Sequence, residues 1–191
     1  YSPSNLAINT KYYWKVVATD PTGSVTSSVM NFTYMGPMWT NTGTTLAVNP
    51  VAISADGEYI AVGYYGGIVS IFSKESATPI RSFTGLADEW IYAVAISANG
   101  KYVVAGTQED DCCSSDGVGR VYLFDRDSDT PLWNRSVSYS VNSVAISADG
   151  NYIVAGSGYN WGGEINLFSK ESSTPLWTYT PSGSGQESWV R

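Results

Sequence analysis

The chain has 191 residues, a formal net charge of −7, only 14% charged residues, and a glycine- and tyrosine-rich composition (19 Gly, 14 Tyr, 7 Trp) that suits short strands joined by tight turns. Its ten Lys and Arg are scattered rather than gathered into a basic stripe, which argues against a nucleic-acid partner. It contains no histidine, so Ser-His-Asp and Cys-His nucleophile systems and His-ligated zinc or haem are excluded from this segment; nor does it contain an apolar run long enough to insert in a membrane as a helix.

The first 34 residues alternate as a strand does: Tyr12, Trp14, Val16 and Ala18 on one face, Tyr13, Lys15, Val17 and Thr19 on the other. Asp20-Pro21-Thr22-Gly23 predicts a turn, and Ser27 to Tyr34 the returning arm of a hairpin. With Leu6, Thr10 and Tyr12 spaced as Leu-x-x-x-Thr-x-Tyr, this segment resembles the C-terminal hairpin of a fibronectin type III-like sandwich, a resemblance that places Tyr12 at the tyrosine corner. Two strands do not fold alone, so the rest of that sandwich is expected upstream. Residues 35–37 read as a short linker, and residues 38–191 as a separate domain.

That domain is built on a repeat. VAISADGEYIAVG starts at Val51, VAISANGKYVVAG at Val94 and VAISADGNYIVAG at Val144. In each copy an apolar inner strand is followed by a hairpin turn at Asp56-Gly57, Asn99-Gly100 or Asp149-Gly150, where positive φ is favoured. A second strand is expected to end at Gly63, Gly106 or Gly156, where a loop of variable length leaves. A third strand follows (IVSIFSKES, RVYLFDRDS, EINLFSKES), then Thr-Pro and a fourth. Pro37-Met38-Trp39-Thr40 matches the fourth strands at Pro79, Pro131 and Pro175, so the array is expected to open on an outer strand that completes the last unit of a ring. Ser188-Trp189-Val190-Arg191 matches Glu89-Trp90-Ile91-Tyr92, the lead-in to a further unit.

The predicted fold is therefore all-β: the end of a sandwich, then about three and a half four-stranded propeller blades, an incomplete ring whose remainder is expected beyond Arg191 or on neighbouring copies. The units resemble the WD40-like and quinoprotein-like repeats of prokaryotic propeller proteins, archaeal ones among them, while lacking the Gly-His pair and the Trp-Asp ending of the eukaryotic WD40 pattern; Phe-Ser-Lys or Phe-Asp-Arg stands there instead. The resemblance implies the fold and leaves the activity open.

The densest chemistry lies in the insertion Gln108–Gly117 of the second unit. Asp110, Asp111 and Asp116 are oxygen donors of the type calcium takes, without the strict alternation of a calcium loop, so a solvated acidic loop is the competing reading. The adjacent Cys112 and Cys113 form a vicinal disulfide, stay as thiols or bridge to another chain; an oxidising compartment favours oxidation. Trp39, Trp133 and Trp177 share one repeat position and are assigned to packing between blades, whereas Trp90, Tyr159, Trp161 and Trp189 fall in or near variable loops and are candidate binding-face aromatics. Asn31-Phe32-Thr33 and Asn134-Arg135-Ser136 fit the N-glycosylation triplet.

These features point to a non-catalytic extracellular module of a large surface glycoprotein, working in adhesion, an envelope layer or filament assembly, with other surface proteins, glycans or copies of itself as partners. One alternative is part of a propeller enzyme, polysaccharide-acting or quinone-dependent; the vicinal cysteines resemble a feature of quinoprotein dehydrogenases. Another is a WD40-type protein interaction scaffold.

Overall fold

The computed structural model of the chain describes residues 10–34, 40, 46–84, 89–109, 118–159 and 162–181. Sixteen strands and no helix are found among them. The chain divides into two compact units, Tyr1–Thr40 and Asn41–Arg191.

In the first unit, β1 (Thr10–Trp14) pairs antiparallel with β4 (Met30–Tyr34), and β2 (Val17–Asp20) with β3 (Gly23–Thr26) around a turn at Pro21-Thr22. The turn falls where the sequence predicts it, but the first expected strand is broken in two, and of the arm expected from Ser27 to Tyr34 only β4 is strand, with β3 lying ahead of it. The break is a change of register: Trp14 lies opposite Met30, whereas Val17 lies opposite Thr26. Ser27 spans the gap, its amide donating to the Val16 carbonyl (2.8 Å) and its hydroxyl accepting from the Val16 amide (2.9 Å). An Oγ two bonds from the main chain stands in for the missing ladder acceptor.

The described residues of the second unit form three four-stranded antiparallel sheets, each a meander in sequence order. Blade 1 is β5 (Val48–Ile53), β6 (Tyr59–Tyr64), β7 (Ile68–Ser73) and β8 (Arg81–Phe83). Blade 2 is β9 (Glu89–Ile96), β10 (Tyr102–Glu109), β11 (Gly119–Asp125) and β12 (Pro131–Val137). Blade 3 is β13 (Val141–Ile146), β14 (Tyr152–Tyr159), β15 (Gly162–Ser169) and β16 (Trp177–Tyr179). The four strands per repeat are thus those the sequence predicts. The outer strand expected at residues 37–40 lies, but for Thr40, outside the described residues.

Two apolar cores join the blades, and strand alternation assigns each residue to one or the other. Ala61, Val69, Ile71 and Phe83 of blade 1 meet Ile91, Val103, Ala105, Tyr122 and Phe124 of blade 2. The intervening residues Val104, Val121, Leu123 and Val137 meet Val141, Ile153, Ala155 and Phe168 of blade 3. Blade 2 is therefore apolar on both faces, which is why its strands read as nearly continuous hydrophobic runs.

The repeat's invariant residues do more than turn the chain. β6, β10 and β14 do not end at their glycines but run on to Tyr64, Glu109 and Tyr159. The reason for glycine is close approach: a Cβ on Gly63 would run into the Ile91 side chain, and one on Gly106 into Val141. Each glycine is the seat for the first core residue of the next blade.

The hairpin turn spans four residues rather than resting on Asx-Gly alone. The Gly57 amide donates to the Ser54 carbonyl (2.9 Å), Gly100 to Ser97 (2.9 Å) and Gly150 to Ser147 (2.8 Å), with the glycines at φ 72°, 67° and 76°. Two of those glycines also receive a ring: a Cβ on Gly100 would strike Tyr59, and one on Gly150 would strike Tyr102, each tyrosine coming from the preceding blade. A cation from the same following blade caps the tyrosine, Arg126 at 4.0 Å from the Tyr59 ring centre and Lys170 at 5.0 Å from that of Tyr102. The blades are thus clasped by a repeated Tyr–Gly–cation contact.

Candidate recognition face

The described residues bring three aromatic rings together where β9 begins. β9 carries Trp90 and Tyr92 on one side and Ile91, fully buried, on the other. Its register against β10 slips here: Ala93 faces Gly106 and Ile91 faces Thr107, with Tyr92 at the irregularity between them. Tyr65 arrives from blade 1, in the β6–β7 turn formed by Gly66 and Gly67 at φ 101° and 69°, with its amide donating to the Ala47 carbonyl (3.0 Å). The ring centres lie 4.9 Å apart for Tyr65 and Trp90, 6.3 Å for Tyr65 and Tyr92, and 6.4 Å for Trp90 and Tyr92, with planes within 29° of one another. All three side chains are half-buried.

The fold does not require aromatics there. In the repeat, Trp90 and Tyr92 flank Ile91 as Ser140 and Asn142 flank Val141 and as Ala47 and Asn49 flank Val48. Only the middle aliphatic residue is common to all three. In blade 3 the Asn142 side chain serves the main chain instead, its amide group donating to the Gly158 carbonyl (2.8 Å). The aromatic stack is therefore a property of blade 2 and its neighbour, not of the repeat.

The other predicted positions separate clearly. Trp133 is half-buried on Phe168 (ring centres 5.4 Å apart) and its indole N–H donates to the Lys170 carbonyl (2.8 Å), the contact between blades its repeat position implies. Trp177, at the equivalent place in blade 3, is 49% exposed. Asn31 on β4 and Asn134 on β12 are both exposed, Asn134 opposite Tyr122 on the outermost strand of its sheet. Tyr159 closes β14 opposite Gly162. Trp39, Trp161, Trp189 and the insertion residues Asp110, Asp111, Cys112, Cys113 and Asp116 lie outside the described residues, and among the described residues no cluster of three or more Asp, Glu or Cys is placed to hold a metal ion.

At the opposite end of the sheets the turns carry most of the charge. The Asp56 carboxyl is held below the usual carboxylate range by the Ser54 hydroxyl (2.5 Å) and then by the Glu58 amide (3.0 Å); Asp149 is held down in the same way by Ser147 and the Asn151 amide. Lys101 is raised above its ordinary value by Asp127 and Asp125, which flank it at 2.7 and 2.9 Å. Arg81 of blade 1 pairs with Asp129 of blade 2 at 2.6 Å.

Tyr65 and Tyr92 were not picked out by sequence reading, although the period of two puts Tyr92 beside Trp90, and aligning the three β-hairpins would have placed Tyr65 in the facing turn.

A search of curated proteins finds no match. The family model described as WD domain, G-beta repeat matches residues 77–122 and 134–169. Each match starts around the fourth strand of one blade and runs into the third strand of the next, and takes in the turn glycine of the clasp, Gly100 or Gly150, but neither its tyrosine nor its cation. Over those two stretches the chain is similar to WD40 repeats, and its all-β, blade-like arrangement agrees with that similarity.

Proposed function

We propose that the chain is a non-catalytic extracellular module of a large surface protein, presenting a rigid recognition face in adhesion, an envelope layer or a filament. The observation that carries this reading is the Tyr65–Trp90–Tyr92 stack, placed at repeat positions where the other units have small or polar residues. Half-buried rings on a stiff sheet offer contact area at little entropic cost. The partners in this reading are other surface proteins, glycans or copies of the chain.

The test exchanges the aromatic pair for the residues that blade 3 has at the same positions, Trp90→Ser with Tyr92→Asn, which the fold already accommodates. Cosedimentation with envelopes isolated from the source cells should fall at least about tenfold, a loss on the order of 1.4 kcal/mol. Undiminished binding overturns the reading. The family match favours a second reading, an interaction scaffold of WD40 type inside the cell. Labelling of intact cells with an impermeant reagent separates the two, because only a surface module is labelled.

A further inference from the structure

The fourth strands of the three blades differ in length and in the use of one side chain. β8 and β16 have three residues each, whereas β12 has seven and forms the outer edge of its sheet. A sheet edge presents unpaired amides and carbonyls to other chains, and short edge strands are one way proteins limit that exposure. Ser82, Asn134 and Thr178 hold the same place in the repeat. Ser82 hydrogen-bonds its ladder partner Ser70 (2.8 Å between hydroxyls), and the Thr178 hydroxyl donates to the side-chain oxygen of its ladder partner Asn166 (2.7 Å). In blade 2 the ladder partner is Tyr122, which is buried and stacks on Phe124 in the core. Asn134 is left exposed, its side chain without a hydrogen-bond partner among the described residues. Arg135 and Ser136 are exposed after it, and the strand's period of two puts Ser136 on the same face as Asn134. Blade 2 has a neighbour packed on each face, so β12 is exposed with both junctions made.

We propose that Asn134 is an N-glycan attachment site and that the glycan covers the β12 edge, an inference that rests on the reading of the chain as an extracellular module. Asn134-Arg135-Ser136 supplies the acceptor amide and, two residues on, the hydroxyl that N-glycosylation requires, with no proline between them. The co-reactant is an oligosaccharide carried on a polyprenyl phosphate. The Asn134 Nδ2 bonds to the anomeric carbon of the sugar as the bond from that carbon to the phosphate oxygen breaks. The lipid phosphate leaves, and one amide proton passes to a base of the transferase. Modification costs the fold no hydrogen bond among the described residues, whereas Ser82 and Thr178 are already engaged across their ladders. A bulky, hydrated glycan beside the longest of the three outer strands keeps a second chain from adding a strand there.

Proteolysis and mass spectrometry of the protein isolated from its source cells test this. The peptide bearing Asn134 should exceed its sequence mass by an oligosaccharide. Asn134→Gln and Ser136→Ala should each return that peptide to the mass of its own sequence; a purely structural role for Asn134 would not respond to Ser136→Ala. The Asn134→Gln protein should keep the circular dichroism of the parent but scatter more light at the same concentration, because its edge is bare. A peptide at its sequence mass, a glycan that persists in Ser136→Ala, a glycan on Asn31 alone, or scattering equal to the parent's overturns the proposal. Labelling of intact cells keeps the two readings apart. A chain that is labelled yet unmodified at Asn134 sinks this inference alone, whereas one neither labelled nor modified sinks the surface reading with it.

Discussion

At the three hairpin turns one side chain differs while the hydrogen bonds stay the same. Asp56 and Asp149 each accept from a serine hydroxyl and from an amide two residues on, and Asn99 accepts from Ser97 and the Lys101 amide at 3.0 Å each without carrying a charge. Both carboxyls have lowered folded-state pKa values, so their contribution is complete above the unfolded value and is lost as pH falls through it towards the folded one. Thermal midpoints should therefore drop below about pH 4. In the doubly substituted Asp56→Asn, Asp149→Asn protein this acid limb should flatten while the midpoint at neutral pH changes little, since Asn99 shows that the amide closes the same turn. An unchanged acid limb would place the acid sensitivity elsewhere. Close approach is the other residue-scale constraint. Gly106→Ala puts a methyl into Val141 and should cost about 1–3 kcal/mol in urea unfolding, whereas Gly23→Ala, with open space around it, should stay within about 0.5 kcal/mol.

Among the elements, the repeat made the four strands of each blade legible, because apolar runs, Asx-Gly turns and Thr-Pro recur in fixed order. The role of Gly63 and Gly106 was not legible. A glycine followed by a variable loop reads as a strand end, and only the neighbouring blade reveals that Ile91 and Val141 need the space. The same holds for Tyr59 and Tyr102, whose partners lie more than forty residues away on another sheet. Ser27 was hidden for a different reason: a hydroxyl replacing a ladder bond leaves the alternation of the strand unbroken. Of the candidate site, Trp90 could be found from its place near a loop, but the stack required the β6–β7 turn to be set beside β9. Trp133 and Trp177 provide a matched comparison. Trp133→Ala removes a ring packed on Phe168 and a bond to the Lys170 carbonyl, and should cost roughly 2–3 kcal/mol, less than a fully buried tryptophan because it is half-exposed. Trp177→Ala, at the same repeat position but 49% exposed, should change stability by about 0.5 kcal/mol or less at concentrations where the chain is monomeric. Equal costs would mean that the indole stabilises its own strand rather than the junction to the next blade.

For the propeller unit as a whole, blade 2 is the only described blade with a partner on each side, and its two faces belong to different cores. Leu123 and Phe124 are consecutive, both 0% exposed, yet Leu123 packs into the core shared with blade 3 and Phe124 into the core shared with blade 1, where its ring lies 4.3 Å from that of Phe83. In an array stabilised by nearest-neighbour contacts, damage to one junction should spread to the blade it holds and not to the other. Leu123→Ala should cost roughly 2–5 kcal/mol and Phe124→Ala roughly 3–5 kcal/mol. Global stability would hardly distinguish them, but amide hydrogen exchange should. With Leu123→Ala the amides of β13 to β15 should lose protection before those of β5 to β7, and with Phe124→Ala the order should reverse. The same loss of protection in blades 1 and 3 for both variants would show that the blades unfold as one cooperative body. A divided response would mean that each junction holds largely by itself, the property that allows sheets of one repeat to be added at either end without redesigning those between.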